Sequence, residues 1–115
     1  MNIHEFGLDK EKTIVLIHPS LVMWDYFEYV RPLLKDKYHV IIPALPGYDE
    51  EKPNENFTSV EEIADNLLGW LKEHKIEKVD LLYGCSMGGS IALKMFSNHG
   101  IKIRNIICDG AITPY

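Results

Sequence analysis

Residues 78–96 read KVDLLYGCSMGGSIALKMF. An apolar run breaks at Gly84-Cys85-Ser86-Met87-Gly88-Gly89 and resumes as SIALKMF, whose apolar residues no longer follow the earlier spacing. The change of period predicts a strand running into a helix, with Ser86 at the turn between them. The five residues 84–88 fit G-x-S-x-G, a pattern that carries weight only where a strand meets a helix. There the turn holds the serine in a strained conformation that lifts its hydroxyl above the sheet. The flanking glycines are required because a Cβ would collide with the neighbouring strand and helix. A serine so placed also stands at a helix N-terminus, where free N–H groups and the helix dipole favour developing negative charge. The N–H of Met87 is then a candidate oxyanion donor.

Two plainer readings compete with a nucleophilic serine. Gly84 to Gly89 could be a tight turn whose glycines serve close packing alone. It could also be a phosphate loop, since Gly84 and Gly89 have the spacing G-x-x-x-x-G; but Ser90 and Ile91 stand where that motif needs Lys and then Ser or Thr. The spacing G-x-G-x-x-G of dinucleotide loops is not met.

Outward from the motif, TIVLIH (13–18), HVIIPA (39–44), KVDLLYG (78–84) and IRNIICDG (103–110) are short apolar runs. They read as strands buried on both faces. Segments of helical length separate them, so a mainly parallel α/β sheet in a three-layer sandwich is expected. Val60, Ile63, Ala64, Leu67, Leu68 and Leu71 recur at spacings of three and four, which predicts a helix over 59–74. Ser59 and Glu62 form its capping box, and Lys72, His74 and Lys75 suit its C-terminal end. A weaker helix over 24–34 turns Trp24, Phe27, Val30 and Leu34 inward, with Pro32 kinking or splitting it. The helix after Ser86 carries Ile91, Ala92, Met95 and Phe96 and ends near Gly100. Residues 46–57, PGYDEEKPNENF, read as a surface loop.

The 115 residues fit one compact domain, and 46% hydrophobic with 25% charged residues is the balance of a soluble globular chain. A formal net charge of −5, with interspersed lysines, gives no basic face for nucleic acid. No signal peptide is recognised in MNIHEFGLDKEK, and no apolar run reaches membrane-spanning length. Cys85 and Cys108, the two cysteines, make neither a disulfide framework nor a metal cluster, so a reducing cytoplasm is the expected location.

The order of motifs, LIHPS after one strand, PALPGYDE after the next, then GCSMGG and IICDGA, resembles the α/β-hydrolase family, especially its lipase, esterase and peptidase-like members. That resemblance covers nearly the whole chain and implies an incomplete α/β-hydrolase fold. It implies Ser86 as nucleophile, Met87 as one oxyanion residue and Ser20, through its backbone N–H, as the second. His18 is implied as a group that orients the loop His18-Pro19-Ser20. Pro19 departs from the family's pattern, as it lacks an N–H and fixes φ. Leu45-Pro46-Gly47 matches the family's structural turn, with Ala44 and Asp49 as departures. Cys85 takes a position often held by a histidine or another bulky residue, and is expected to point away from the cleft. The substrate implied is a small acyl compound, with no metal or organic cofactor. Trp24 and Tyr26 are candidates for the pocket wall, although helix packing is the stronger reading of both.

A serine needs a base to take its proton and an acid to orient that base. After Ser86 the one histidine is His99, which roughly a dozen helical residues would put some 20 Å away. His4, His39 and His74 read as structural or surface residues. Asp109, at the end of the strand beside that of Ser86, is a minor candidate for the acid. The expectation is therefore an N-terminal half of a hydrolase domain, with the triad incomplete within 1–115 and a cap region starting near Thr113-Pro114-Tyr115. If the chain ended there, the uncovered edge strand IRNIICDG would lead it to form a homodimer, to pair with a missing second half, or to be poorly soluble. The alternative is a non-catalytic binding protein on the same scaffold, or an inactive fragment.

Overall fold

A computed structural model describes residues 1–98 and 100–110. Its strands are β1 (Asn2–Phe6), β2 (Thr13–Ile17), β3 (His39–Ala44), β4 (Lys78–Val79), β5 (Leu81–Cys85), β6 (Lys102–Ile103) and β7 (Ile106–Asp109). Five of them form one sheet in the order β1-β3-β2-β5-β7, and β4 pairs with β6 in a separate two-stranded sheet. The pairs β3–β2, β2–β5 and β5–β7 are parallel, while β1 is antiparallel to β3. Every residue of β2 and β3 is buried, which accounts for their continuous apolar sequence.

The helices are a 3-10 turn at Trp24–Phe27, α1 (Arg31–Leu34), α2 (Val60–Glu73) and α3 (Met87–Asn98). α2 begins where expected: the Ser59 hydroxyl accepts the Glu62 N–H at 3.0 Å, satisfying a donor that would otherwise lack a partner. It ends with Lys75 in the left-handed region at φ 59°, the Lys75 N–H bonded to Lys72 O and the Ile76 N–H to Leu71 O. These are the paired bonds of a Schellman cap, here built on lysine in place of glycine.

α2 and α3 cover one face of the sheet. Ile63, Leu67 and Leu71 of α2 and Ile91 and Met95 of α3 pack with Val15, Ile17, Ile41 and Leu82. On the other face Ile14, Leu16, Val40 and Ile42 meet Phe27, with Trp24 and Leu34 alongside. That second helical layer is thin, since Pro32 stands in the first turn of α1 and divides the expected helix into two short pieces.

Several expectations are corrected. Val30, read as inward, is 45% exposed, and Phe96, among the apolar residues of the last helix, is 43% exposed. Val30 lies in the turn between the two short helices, and α3 already buries Ile91, Ala92 and Met95, so Phe96 falls past the edge of its inner stripe. The run 78–84 is two strands because Asp80 interrupts it. The Asp80 N–H donates to Thr13 O, and its carboxylate accepts the Thr13 N–H at 2.8 Å, so the chain is tied to the start of β2 and β4 diverges toward β6. The run 103–110 is likewise divided into β6 and β7. His99 and residues 113–115, to which a helix end and a cap start were assigned, lie outside the described residues.

Candidate active site

Ser86 stands between β5 and α3 at φ 54°, a left-handed conformation costly for any residue with a Cβ. Its hydrogen bonds explain the strain. The Ser86 N–H still belongs to the sheet, donating to Asp109 O at 2.7 Å, while its carbonyl already belongs to the helix, accepting from Gly89 N at 2.9 Å and Ser90 N at 3.3 Å. One residue thus completes the change from strand to helix, leaving its side chain at the C-terminal edge of the sheet.

The glycines are a spatial requirement. A Cβ on Gly84 would strike the Gly88 carbonyl, and a Cβ on Gly88 would strike the carbonyls of Ile17 and His18. The last turn of β5, the first turn of α3 and the end of β2 therefore meet with no room for a side chain. This contact brings residues 18–20 beside the start of α3. Met87, half-buried, is the first residue of α3, so its N–H has no intrahelical acceptor. Ser20 follows in the adjoining loop, half-buried, and Leu21 after it is a second non-glycine residue with positive φ, 68°. Strained backbone thus flanks the site on two segments.

His18 is fully buried and committed on both ring nitrogens. Its Nδ1–H donates to Pro19 O at 2.8 Å, and Nε2 accepts the Leu45 N–H at 3.1 Å. Those partners require the neutral ring, and burial lowers its pKa from the ordinary histidine value. His18 ties its own loop to the turn after β3, and Tyr48 packs edge-on against the ring with centroids 6.3 Å apart.

Asp109 pairs in register with Cys85 at the end of β7. Its carboxylate is exposed and accepts the Tyr83 hydroxyl at 3.2 Å. Partial burial, and then this hydrogen bond, push the Tyr83 phenol up to about 12. Tyr26 places its hydroxyl 4.0 Å from Cys85 Sγ, a contact that raises the Tyr26 pKa. Cys85 therefore faces the 3-10 helix. The contacts of Tyr83 with Asp109 and of Tyr26 with Cys85 escape sequence reading because each is made by a tertiary approach, although period-two alternation does put Tyr83 and Cys85 on one face of β5.

The remaining described histidines are engaged away from Ser86. His4 stacks on Trp24 at 3.7 Å, His39 Nε2 meets Glu5 at 2.7 Å, and His74 Nδ1–H donates to Trp70 O. Among the described residues no histidine hydrogen-bonds Ser86, and no group of three or more His, Cys, Asp and Glu is placed to hold a metal ion. No helix among them is long and apolar enough to cross a membrane.

The family profile described as the alpha/beta hydrolase fold matches residues 12–115. The chain is 29% identical over 114 residues to 2-hydroxymuconate semialdehyde hydrolase of Pseudomonas sp. (strain CF600), covering 96% of this chain and 39% of that protein. Among solved structures, an alpha/beta hydrolase family protein from Desulfitobacterium hafniense superposes with a TM-score of 0.91 at 35% identity, over 96% of this chain and 44% of that one. A thermophilic esterase from Thermogutta terrifontis shares the fold at a TM-score of 0.81 and 22% identity, with 96% of this chain and 40% of that chain covered. The 115 residues thus span less than half the length of these relatives. With the profile matching from Lys12 onward and the serine turn seated in a mostly parallel sheet, the chain belongs to the α/β-hydrolase family.

Proposed function

We propose that this chain carries the nucleophile side of a serine hydrolase acting on an ester or related acyl substrate. Ser86 Oγ attacks the acyl carbonyl carbon; the carbonyl π electrons move to oxygen, and the tetrahedral oxyanion accepts hydrogen bonds from the N–H groups of Met87 and Ser20. Collapse expels the leaving group and leaves an acyl ester on Ser86, which water then hydrolyses. The serine proton passes to a base outside the described residues, in keeping with the commitment of His4, His18, His39 and His74 elsewhere. Asp109 is the nearest candidate acid by position. Its hydrogen bond from Tyr83 would hold the carboxylate at the edge where a base would stand. The observation that carries the proposal is Ser86 at φ 54° between a strand and a helix, a strain that a merely structural turn would relieve with glycine. The hydrolase and esterase names of the relatives support the reaction class.

Treatment with a fluorophosphonate probe, followed by peptide mass spectrometry, tests this. Covalent labelling at Ser86, abolished by Ser86→Ala, is expected. Labelling will be slow, because a triad lacking one member keeps only a residual advantage of about 10³ to 10⁴ over water. A folded protein that never labels overturns the proposal for this chain. The second reading, a non-catalytic binding protein or inactive fragment on the hydrolase scaffold, is favoured by one observation: no described histidine reaches Ser86. That failure to label is its signature.

A further inference from the structure

Asp49, one of the departures from the family's pattern, is a buried carboxylate, only 7% exposed. It lies in the loop that follows β3, at the edge of the parallel sheet where Ser86 also stands. One of its oxygens is used locally: Oδ1 accepts the Glu51 N–H at 3.0 Å, an Asx turn that fixes the side chain. The other, Oδ2, is buried without a hydrogen-bond partner, and no described lysine, arginine or histidine forms an ion pair with it. A carboxylate oxygen taken out of water and left empty is costly, and it calls for an explanation.

The same loop is joined to His18. Tyr48 packs edge-on against the His18 ring, and Leu45, at the start of the loop, donates its N–H to Nε2 at 3.1 Å. Nδ1 already carries the proton that Pro19 O accepts, so a second proton can enter the ring only at Nε2. Two N–H groups cannot face each other at that distance. Protonation of His18 therefore breaks its bond to Leu45 and leaves an imidazolium inside the protein that needs an anionic acceptor. Two carboxylates act on the ring through their charge, Asp25 from the 3-10 helix and Asp49 from the loop after β3. α3 approaches with Gly88, which carries none. Asp25 is exposed and already hydrated, whereas Asp49 keeps its empty oxygen in the interior.

We propose that Asp49 is a positioning residue for the oxyanion loop: on acidification it receives the Nε2–H of the His18 imidazolium, and residues 18–20 shift, withdrawing the Ser20 N–H from the oxyanion. The proton comes from solvent and no covalent bond of the chain changes. Pro19 fixes φ between His18 and Ser20, so displacement of His18 is passed on to Ser20 in place of being absorbed. The part played by Ser20 rests on the serine-hydrolase reading, while the exchange of partners at His18 does not. Burial disfavours the charged ring; the hydrogen bond to Pro19 O and the charges of Asp25 and Asp49 oppose that effect. The exchange therefore belongs below the ordinary histidine value of about 6.5, and removing the Asp49 charge moves it lower still.

Amide NMR spectra of the 115-residue chain, recorded through the acid side of about pH 6.5, test this. The Leu45 and Ser20 amide signals are expected to move together with the His18 ring, while circular dichroism shows the fold intact. Asp49→Asn keeps an oxygen for the Asx turn and removes the charge, so it shifts the common midpoint to lower pH. His18→Gln, whose amide oxygen can accept the Leu45 N–H and does not titrate, abolishes the transition. With the fluorophosphonate probe, the rate of labelling at Ser86 falls about a hundredfold through the same midpoint, the loss of one oxyanion donor, and follows that midpoint in Asp49→Asn. A Leu45 amide that moves only when the chain unfolds overturns the inference. So does a midpoint that Asp49→Asn leaves in place, or a labelling rate that ignores it. A Ser86 that labels at no pH tells against the serine-hydrolase reading instead, and the amide shifts still decide whether Asp49 receives the His18 proton.

Discussion

Ser86 carries two burdens, one conformational and one chemical, and substitution can separate them. A left-handed backbone costs a residue with a Cβ about 1 to 2 kcal/mol, and glycine almost nothing. Ser86→Gly is therefore expected to be more stable than Ser86→Ala by about 1 kcal/mol in urea unfolding, while both lose the labelling of Ser86. Equal stabilities would mean that φ 54° is no source of strain. Tyr83 offers a second residue-scale test. Its phenol is pushed up to about 12, against about 10 for an unperturbed tyrosine, so absorbance at 295 nm should contain a component ionising at about pH 12 that Tyr83→Phe removes. The sign follows for stability. A raised folded-state value favours the neutral phenol, so this contribution is present below pH 10 and is lost as pH rises through about 12.

At the scale of elements, the loop after β2 and the turn after β3 are joined by one buried ring. His18 must remain neutral to accept the Leu45 N–H while its Nδ1–H holds Pro19 O. Its pKa is lowered in the fold, so the unfolded chain binds the proton more readily. This contribution to stability is complete above the unfolded value of about 6.5 and is lost as pH falls through the lower folded one. Urea midpoints measured down the acid limb should fall more steeply for wild type than for His18→Gln, whose side-chain amide carries no titrating proton. Parallel limbs would remove His18 as the cause. Helix α2 makes the contrast between local and tertiary control plain. Ser59 caps it and its inner face is Ile63, Ala64, Leu67, Leu68 and Leu71, all legible at fixed spacing. The segment 24–34 was legible only as far as Pro32, because which residues turn inward depends on where the two short pieces come to rest on the sheet.

Across the whole molecule the asymmetry of the sheet has the widest consequence. On the thinner face Ile14, Leu16, Leu81 and Tyr83 line an open apolar cavity, so the folded 115-residue chain should raise the fluorescence of the hydrophobic dye ANS. No rise with the folded chain would mean that this cavity is closed.

The sequence by itself determined the sites of local punctuation: the strand-to-helix turn at Ser86, the capped helix α2, and the parallel α/β order of β2, β3, β5 and β7. Each is written in residues close together, through a change of apolar period, a hydroxyl three residues from the N–H it accepts, or a glycine pair around a serine. Tertiary structure alone decided what those residues meet. His4 reads as a strand position, but the antiparallel edge pairing of β1 was not legible, because NIHEF carries a histidine and a glutamate that find partners only in the fold, His4 on Trp24 and Glu5 on His39. Asp80 split an apparently continuous strand by bonding to Thr13, and His18 gained its role from Leu45, each partner distant in sequence. The carbonyls of Ile17 and His18 explain why Gly88 can be nothing else. The period of a chain fixes which face a residue occupies, but steric exclusion and hydrogen bonding between distant segments fix what stands opposite it.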